Sequence, residues 1–243
     1  IWFKFDDSTD LGKNSRPTAI TANPGTYKID YSLHLDGVAD YLSWQPTSSG
    51  DLKHQTFSWW QKMANVSNNW NMVFGSSADT GYCGFYRKGT DHYFAFHDTN
   101  STTVHYVTNA KFRDETAWTH FVVSIDTPAK LFKLYINGAE YKGGYSTSGF
   151  TADTDLPYGV SGVDFLIGSQ YSPPSNEFGG YLADFIFVEG TAYGPEAFGG
   201  YDTNGNWVPT DPTSGITYGD EGFLLQFKQT GTSQNSSGIG ADT

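Results

Sequence analysis

"FRDETAWTHFVVSIDTPAKLFKLYINGAEYK", residues 112–142, decides the fold. An extended chain sends residues i, i+2 and i+4 to one face. Trp118, His120, Val122 and Ser124 therefore share one side, and Phe121, Val123 and Ile125 the other. Asp126 and Pro128 stop the run. Leu131, Lys133 and Tyr135 then alternate against Phe132, Leu134 and Ile136 up to Asn137-Gly138, a dipeptide that accepts the two positive φ angles of a tight hairpin turn. The stretch predicts antiparallel strands in series, one face of which needs cover. His120 reads as a core histidine bonded to a neighbouring backbone or hydroxyl group, ahead of any catalytic or metal role.

Outward from this stretch the same alternation recurs. Candidate strands are Trp2–Phe5, Tyr31–Asp36, Tyr41–Trp44, Thr56–Met63, Asn71–Gly75, Gly81–Arg87, Tyr93–His97 and Thr103–Thr108 before it, and Asp164–Gly168, Gly180–Glu189 and Gly222–Phe227 after it. A short helical turn is expected at Gly194–Gly200, where Pro195 suits a first helical position. Many strands without intervening helices predict an all-β, two-sheet antiparallel jelly-roll sandwich. Tyr145–Gly162 and Ser172–Glu177 read as surface loops, and Asp6-Asp7 and the "GDEG" of 219–222 as solvated turns. The expected organisation is an N-terminal strand and linker (1–30), the sandwich (31–200) and a C-terminal extension with one strand (201–243). That strand either returns to the sandwich or opens a next module. The first residue, Ile1, and the closing "GIGADT" suggest a piece of a longer polypeptide.

Composition narrows the function. Phe 18, Tyr 16, Trp 7 and Gly 28 in 243 residues suit a β protein with an aromatic core. A formal charge of −12 would repel a nucleic-acid backbone, so nucleic acid is not an expected partner. The single cysteine, Cys83, excludes an intrachain disulfide framework and reads as a half-buried core residue. No apolar stretch approaches the length of a membrane span, so no membrane partner is expected.

Five ordered motifs carry a family likeness: "YSLHLDGVADYLSW" (31–44), "TFSWWQK" (56–62), "AWTHFVVSIDTPAKLFKLYINGAEY" (117–141), "FLIGS" (165–169) and "FGGYLADFIFVEGTAYGPEAFG" (178–199). Their order resembles concanavalin A-like lectin/glucanase sandwiches, specifically the laminin-G-like and pentraxin-like branch. The downstream "NGNWVP" (204–209) and "YGDEGFLLQF" (218–227) resemble virion-associated proteins of tailed phages, particularly those of marine bacteria. The likeness implies a lectin-like module of a virion surface or adhesion protein, such as a phage fibre or capsid decoration. Expected partners are a surface glycan, other virion proteins and a further copy of the chain, and the expected location is the virion surface or the extracellular space. The alternative is a purely structural virion component making protein–protein contacts.

The glucanase members of this superfamily hydrolyse with two glutamates spaced Glu-x-Asp-x-(x)-Glu on one strand, which puts the carboxylates on one face. Glu115, Glu140, Glu177, Glu189, Glu196 and Glu221 never form that spacing, and "ADFIFVEG" puts Asp184 and Glu189 on opposite faces. The expectation is therefore a domain without enzyme activity. The resemblance also implies a rim calcium site, for which Asp79 and Gln170 are the candidate ligands, with Asp153 and Asp155 as a second pair. Sugar binding needs an aromatic ring under a pyranose face and polar groups for the hydroxyls. Trp70, Tyr82 and Tyr171 are the candidate platforms, with His92 and Asp98 from "DHYFAFHD" (91–98) beside them. Zinc on His92, His97 and His105 is disfavoured, because the five-residue gap sends two of them to opposite faces of a strand.

Overall fold

The structure, a computed structural model, describes residues 27–65, 70–77, 84–88, 91–97, 105–146, 153–170, 175–232 and 235–242. In chain order its strands are β1 (Leu33–Asp36), β2 (Leu42–Trp44), β3 (His54–Asn65), β4 (Trp70–Ser76), β5 (Gly84–Lys88), β6 (Phe94–His97), β7 (His105–Thr108), β8 (Thr119–Asp126), β9 (Leu131–Ile136), β10 (Ala139–Glu140), β11 (Gly144–Ser146), β12 (Phe165–Ile167), β13 (Gly179–Glu189), β14 (Gly199–Tyr201), β15 (Trp207–Pro209) and β16 (Phe223–Leu225). One 3₁₀ turn, Pro195–Ala197, falls inside the expected helical segment. Among the described residues no helix is long and apolar enough to cross a membrane.

Two antiparallel sheets face each other. The first runs β1-β13-β3-β8-β9-β10, with β16 also paired to β13, and the second runs β11-β7-β6-β5-β4-β12-β2. This is the all-β sandwich that the alternation predicts. The opening stretch supplies its middle: β8 lies between β3 and β9, with Trp60 opposite His120 and Val123 opposite Leu134. Asn137 (φ 48°) and Gly138 (φ 79°) make the two-residue turn that joins β9 to β10. Gly138 is needed twice over, since a Cβ there would also lie 2.2 Å from the Trp207 ring.

The core between the sheets is aromatic. Trp59 stacks on Phe121 at 5.5 Å and meets Phe85 edge-on at 4.8 Å, while Phe57 stacks on Phe74 at 4.5 Å and on Phe187 at 5.0 Å. Each such pair adds about 0.5–1.5 kcal/mol beyond the area it buries. Phe223, Leu225 and Phe227 belong to the same core, so the chain's C-terminal part fills space between the sheets. The outer face of the first sheet is covered as well. Val122, Ile186, Val188 and Leu224 pack under Phe198, and Trp60 and Ala183 pack with Ile29 and Trp207. A sheet covered on both faces buries its outward polar residues too, which is why His120 is only 1% exposed.

Several expectations are corrected. The segment 145–162 is more than a surface loop: Tyr145 lies within β11, and Leu156 and Tyr158 enter the core. Tyr158 donates its hydroxyl hydrogen bond to the His97 carbonyl at 3.0 Å and accepts at its own carbonyl from Gln55 Nε2 at 2.8 Å. In "GDEG", Glu221 is buried and accepts from the Ser48 hydroxyl. The backbone N–H groups of Asp220 and Glu221 both donate to Glu189 Oε1. The hairpin β14–β15 and strand β11 were not anticipated. Trp2–Phe5 and Asp6-Asp7 lie outside the described residues.

Candidate functional site

Trp70 and His92 come together at one end of the second sheet. Trp70 begins β4 and pairs with Lys88 at the end of β5, and His92 lies in the connection from β5 to β6. The Lys88 ammonium sits 3.4 Å from the centre of the Trp70 ring, which also meets Tyr86 edge-on at 5.0 Å. Beside them, Lys111 stands 5.6 Å above the Tyr93 ring. Two half-exposed aromatic rings, each with its own cation, thus form a rim.

The crossover from β7 to β8 is tied to this rim. Phe112 N–H donates to the His92 carbonyl at 2.7 Å, and Arg87 Nε donates to the Phe112 carbonyl at 3.0 Å. Arg87 Nη2 donates to His92 Nδ1 at 2.5 Å, which fixes that nitrogen as an acceptor. Burial, followed by the Arg87, Arg113 and Lys111 charges, holds His92 below the ordinary imidazole range. Its φ of 60° marks a tight turn.

Under the crossover lies a cavity of about 350 Å³. Met63, Phe94, Phe112 and Phe121 give it apolar walls, and Gln61, Lys111, Arg113 and Asp114 give it polar ones. Asp114 Oδ1 accepts from the Thr116 hydroxyl and N–H and from Ala117 N–H, and those bonds hold its carboxyl below the usual range. Gln61 Oε1 accepts from Trp59 Nε1 at 2.7 Å. Arg87, behind the Phe112 wall, is 0% exposed, and its Nη1 has no hydrogen-bond partner.

The remaining sequence candidates are placed as follows. Gln170 is buried at 1% exposure, and its Oε1 accepts from Asn176 Nδ2. The Asn176 carbonyl accepts from Met72 N–H at 2.8 Å, so this loop lies against β4. Asp153 pairs with Lys53 at 2.7 Å, and Asp155 is exposed. Tyr82, Tyr171, Asp98 and Asp79 lie outside the described residues. Among the described residues no group of three or more His, Cys, Asp or Glu stands together as a metal site. Of the described calcium candidates, the Gln170 oxygen accepts from an amide and Asp153 Oδ1 from an ammonium. His97 Nε2 is bonded to the Tyr86 hydroxyl at 2.8 Å, away from any zinc geometry.

Two buried polar centres lie on the first sheet, one of them expected in part and the other missed. His120 Nδ1 accepts from Trp207 Nε1 at 2.9 Å, its Nε2 meets Ser58 Oγ at 2.9 Å, and its ring stacks between Trp60 and Trp207. The hydroxyl contact was expected; the Trp207 contact was not. Asp184 sits at a bulge of β13 with φ 40°. Tyr27 donates to its Oδ2 at 2.7 Å, Gln226 Nε2 donates to the Tyr27 oxygen at 2.5 Å, and a cavity of about 200 Å³ adjoins them. Burial pushes Asp184 up to about 7. An acid inside the alternating "YLADFIF" was the available signal.

Comparison with known proteins follows this geometry. The model of the concanavalin A-like lectin/glucanases superfamily matches residues 36–192. No curated protein matches the chain. A proposed carbohydrate-binding protein of Bacteroides ovatus ATCC 8483 is 14% identical over 78% of this chain and 50% of its own, with a TM-score of 0.54. A heptameric SAP-like pentraxin of Limulus polyphemus is 13% identical over 67% of this chain and 76% of its own, with a TM-score of 0.50. A Trypanosoma rangeli sialidase is 13% identical over 70% of this chain, with a TM-score of 0.49, and the match spans 27% of that enzyme. The expectation of a domain without enzyme activity is corrected by this last finding. With its two facing antiparallel sheets and a family match over residues 36–192, the chain belongs to the concanavalin A-like lectin/glucanases superfamily.

Proposed function

We propose that the chain is a carbohydrate-recognising module whose binding face is the Trp70–Tyr93 rim with its adjoining pocket. The observation that carries this reading is the pairing of each half-exposed ring with a cation, one of which, Lys111, also lines a cavity that is part apolar and part polar. A pyranose presents C–H groups to such a ring and hydroxyls to the lysine, arginine and aspartate around it. The Bacteroides protein's assignment to carbohydrate binding supports the reading.

The finer part of the proposal is the setting. The likeness of 204–227 to virion-associated phage proteins favours a virion surface, with other virion proteins as further partners. The heptameric pentraxin among similar folds favours a homo-oligomer, which light scattering would measure. Calcium enters only through Asp79, outside the described residues, together with Gln170.

A glycan-array screen of the folded protein, run with calcium and again with chelator, tests the reading. Specific signal is expected, and Trp70→Ala should weaken it roughly tenfold, the loss of one stacking contact of about 1.4 kcal/mol. Signal lost on chelation would bring calcium in. No signal in either buffer would overturn glycan recognition and favour a structural component that binds proteins.

A further inference from the structure

We propose that the pocket under the crossover takes an anionic saccharide, one bearing carboxylate or sulfate groups, read by Lys111 and Arg113 on its wall, with the Arg87 charge behind them. This rests on the carbohydrate reading above and names its ligand class. The chain carries 26 acids against 14 Lys and Arg, yet Arg87, Lys88, Lys111 and Arg113 gather at this one end of the second sheet. The acids on the same elements are Asp91, Asp114 and Glu115. Asp114 is committed to the 114–117 turn through three hydrogen bonds, and Glu115 is exposed. His92 is held low first by burial and then by the charges of Arg87, Arg113 and Lys111, which act on it together.

Arg87 backs this wall with a third, buried charge. A guanidinium taken fully out of water is costly unless a carboxylate or other anion faces it. Among the described residues Arg87 has no direct ion pair, and the exposed Glu115 carboxylate is the charge that acts on it from farther off. Its two partners are neutral, the Phe112 carbonyl and the His92 ring, and Nη1 has none. Phe112 is also a wall of the pocket, with Lys111 and Arg113 on either side of it in sequence. An anion entering there would meet Lys111 and Arg113 on the pocket wall, with the buried Arg87 charge behind Phe112 adding to the positive field. Arginine forks match carboxylate and sulfate oxygens in pairs.

Calorimetric titration with a heparin-derived hexasaccharide, hexagalacturonate and an uncharged galactan hexasaccharide, with inorganic sulfate as control, tests this. At least one acidic oligosaccharide is expected to bind at least tenfold more tightly than the uncharged one, and a rise from 50 to 300 mM NaCl should erode that preference. Whether the uronate or the sulfated arm responds identifies the anion. Lys111→Gln/Arg113→Gln should abolish the preference for the acidic over the uncharged sugar. Arg87→Met, which removes the charge behind that wall, should weaken the preference. Equal binding of charged and uncharged sugars, or a preference that survives all three substitutions, would overturn this inference and leave the carbohydrate reading standing. Binding of sulfate alone with no oligosaccharide bound would overturn both.

Discussion

Acid should destabilise this protein through His120. Trp207 Nε1 is a donor only and points at His120 Nδ1, so that nitrogen must be bare and the ring proton must sit on Nε2, donated to Ser58 Oγ. A second proton would set two N–H groups against each other in a site 1% exposed to water. Burial accordingly lowers this imidazole from 6.5 to about 3. The unfolded chain takes up a proton near 6.5 and the folded one does not, so the contribution is complete above 6.5 and drains as pH falls toward 3. One proton is worth about 1.4 kcal/mol per pH unit, hence roughly 3 kcal/mol between pH 6.5 and pH 4. Urea unfolding of the wild type and His120→Gln at several pH values measures it. The gap between the two should shrink by about that amount on acidification. Curves that stay parallel would refute the reasoning.

Asp184 works in the opposite direction: its carboxyl is raised from 3.8 to about 7, so the stability it contributes is complete below 3.8 and is lost as pH rises to neutrality. The loss is at most about 4 kcal/mol, and Asp184→Asn should flatten that part of the profile in the same urea series. Gly138→Ala should destabilise by more than about 1 kcal/mol, since it combines a positive φ with a clash on Trp207; a neutral melting temperature would contradict this. A chain ended after Asp202 loses Phe223, Leu225, Phe227 and Ile239 from the core. At about 2–3 kcal/mol each this approaches the whole stability of a domain, so circular dichroism should show it unfolded.

The middle of the sandwich was legible because period-two alternation is local: Phe121, Val123 and Ile125 face the core as their spacing requires. Alternation also gave Trp118 and His120 a shared face, but it cannot say what covers that face. The cover comes from Trp207, 87 residues from His120. Asp184 was opaque because the bulge between Ala183 and Ile186 interrupts the strand's pairing, and a carboxyl's burial depends on Tyr27 and Gln226 arriving from both ends of the chain. Leu156 and Tyr158 were hidden by the polar residues around them. Trp70 and His92 were singled out one by one, yet that they share an end of one sheet follows from the β4–β5 register. Arg87 carried an overlooked signal, standing two residues after Phe85 and thus on the core side of its strand.

The most direct measurement is an NMR titration of the folded protein with a glycan retained on the array, following the Trp70 indole and the backbone amides. Glycan recognition at the proposed face requires shifts at Trp70, Lys88, His92 and Lys111–Asp114, with the Trp207 indole and the Asp184 amide unmoved. Shifts confined to the outer groove of Ser124, Asp126, Lys133 and Glu196, or no shifts with any glycan, would contradict it.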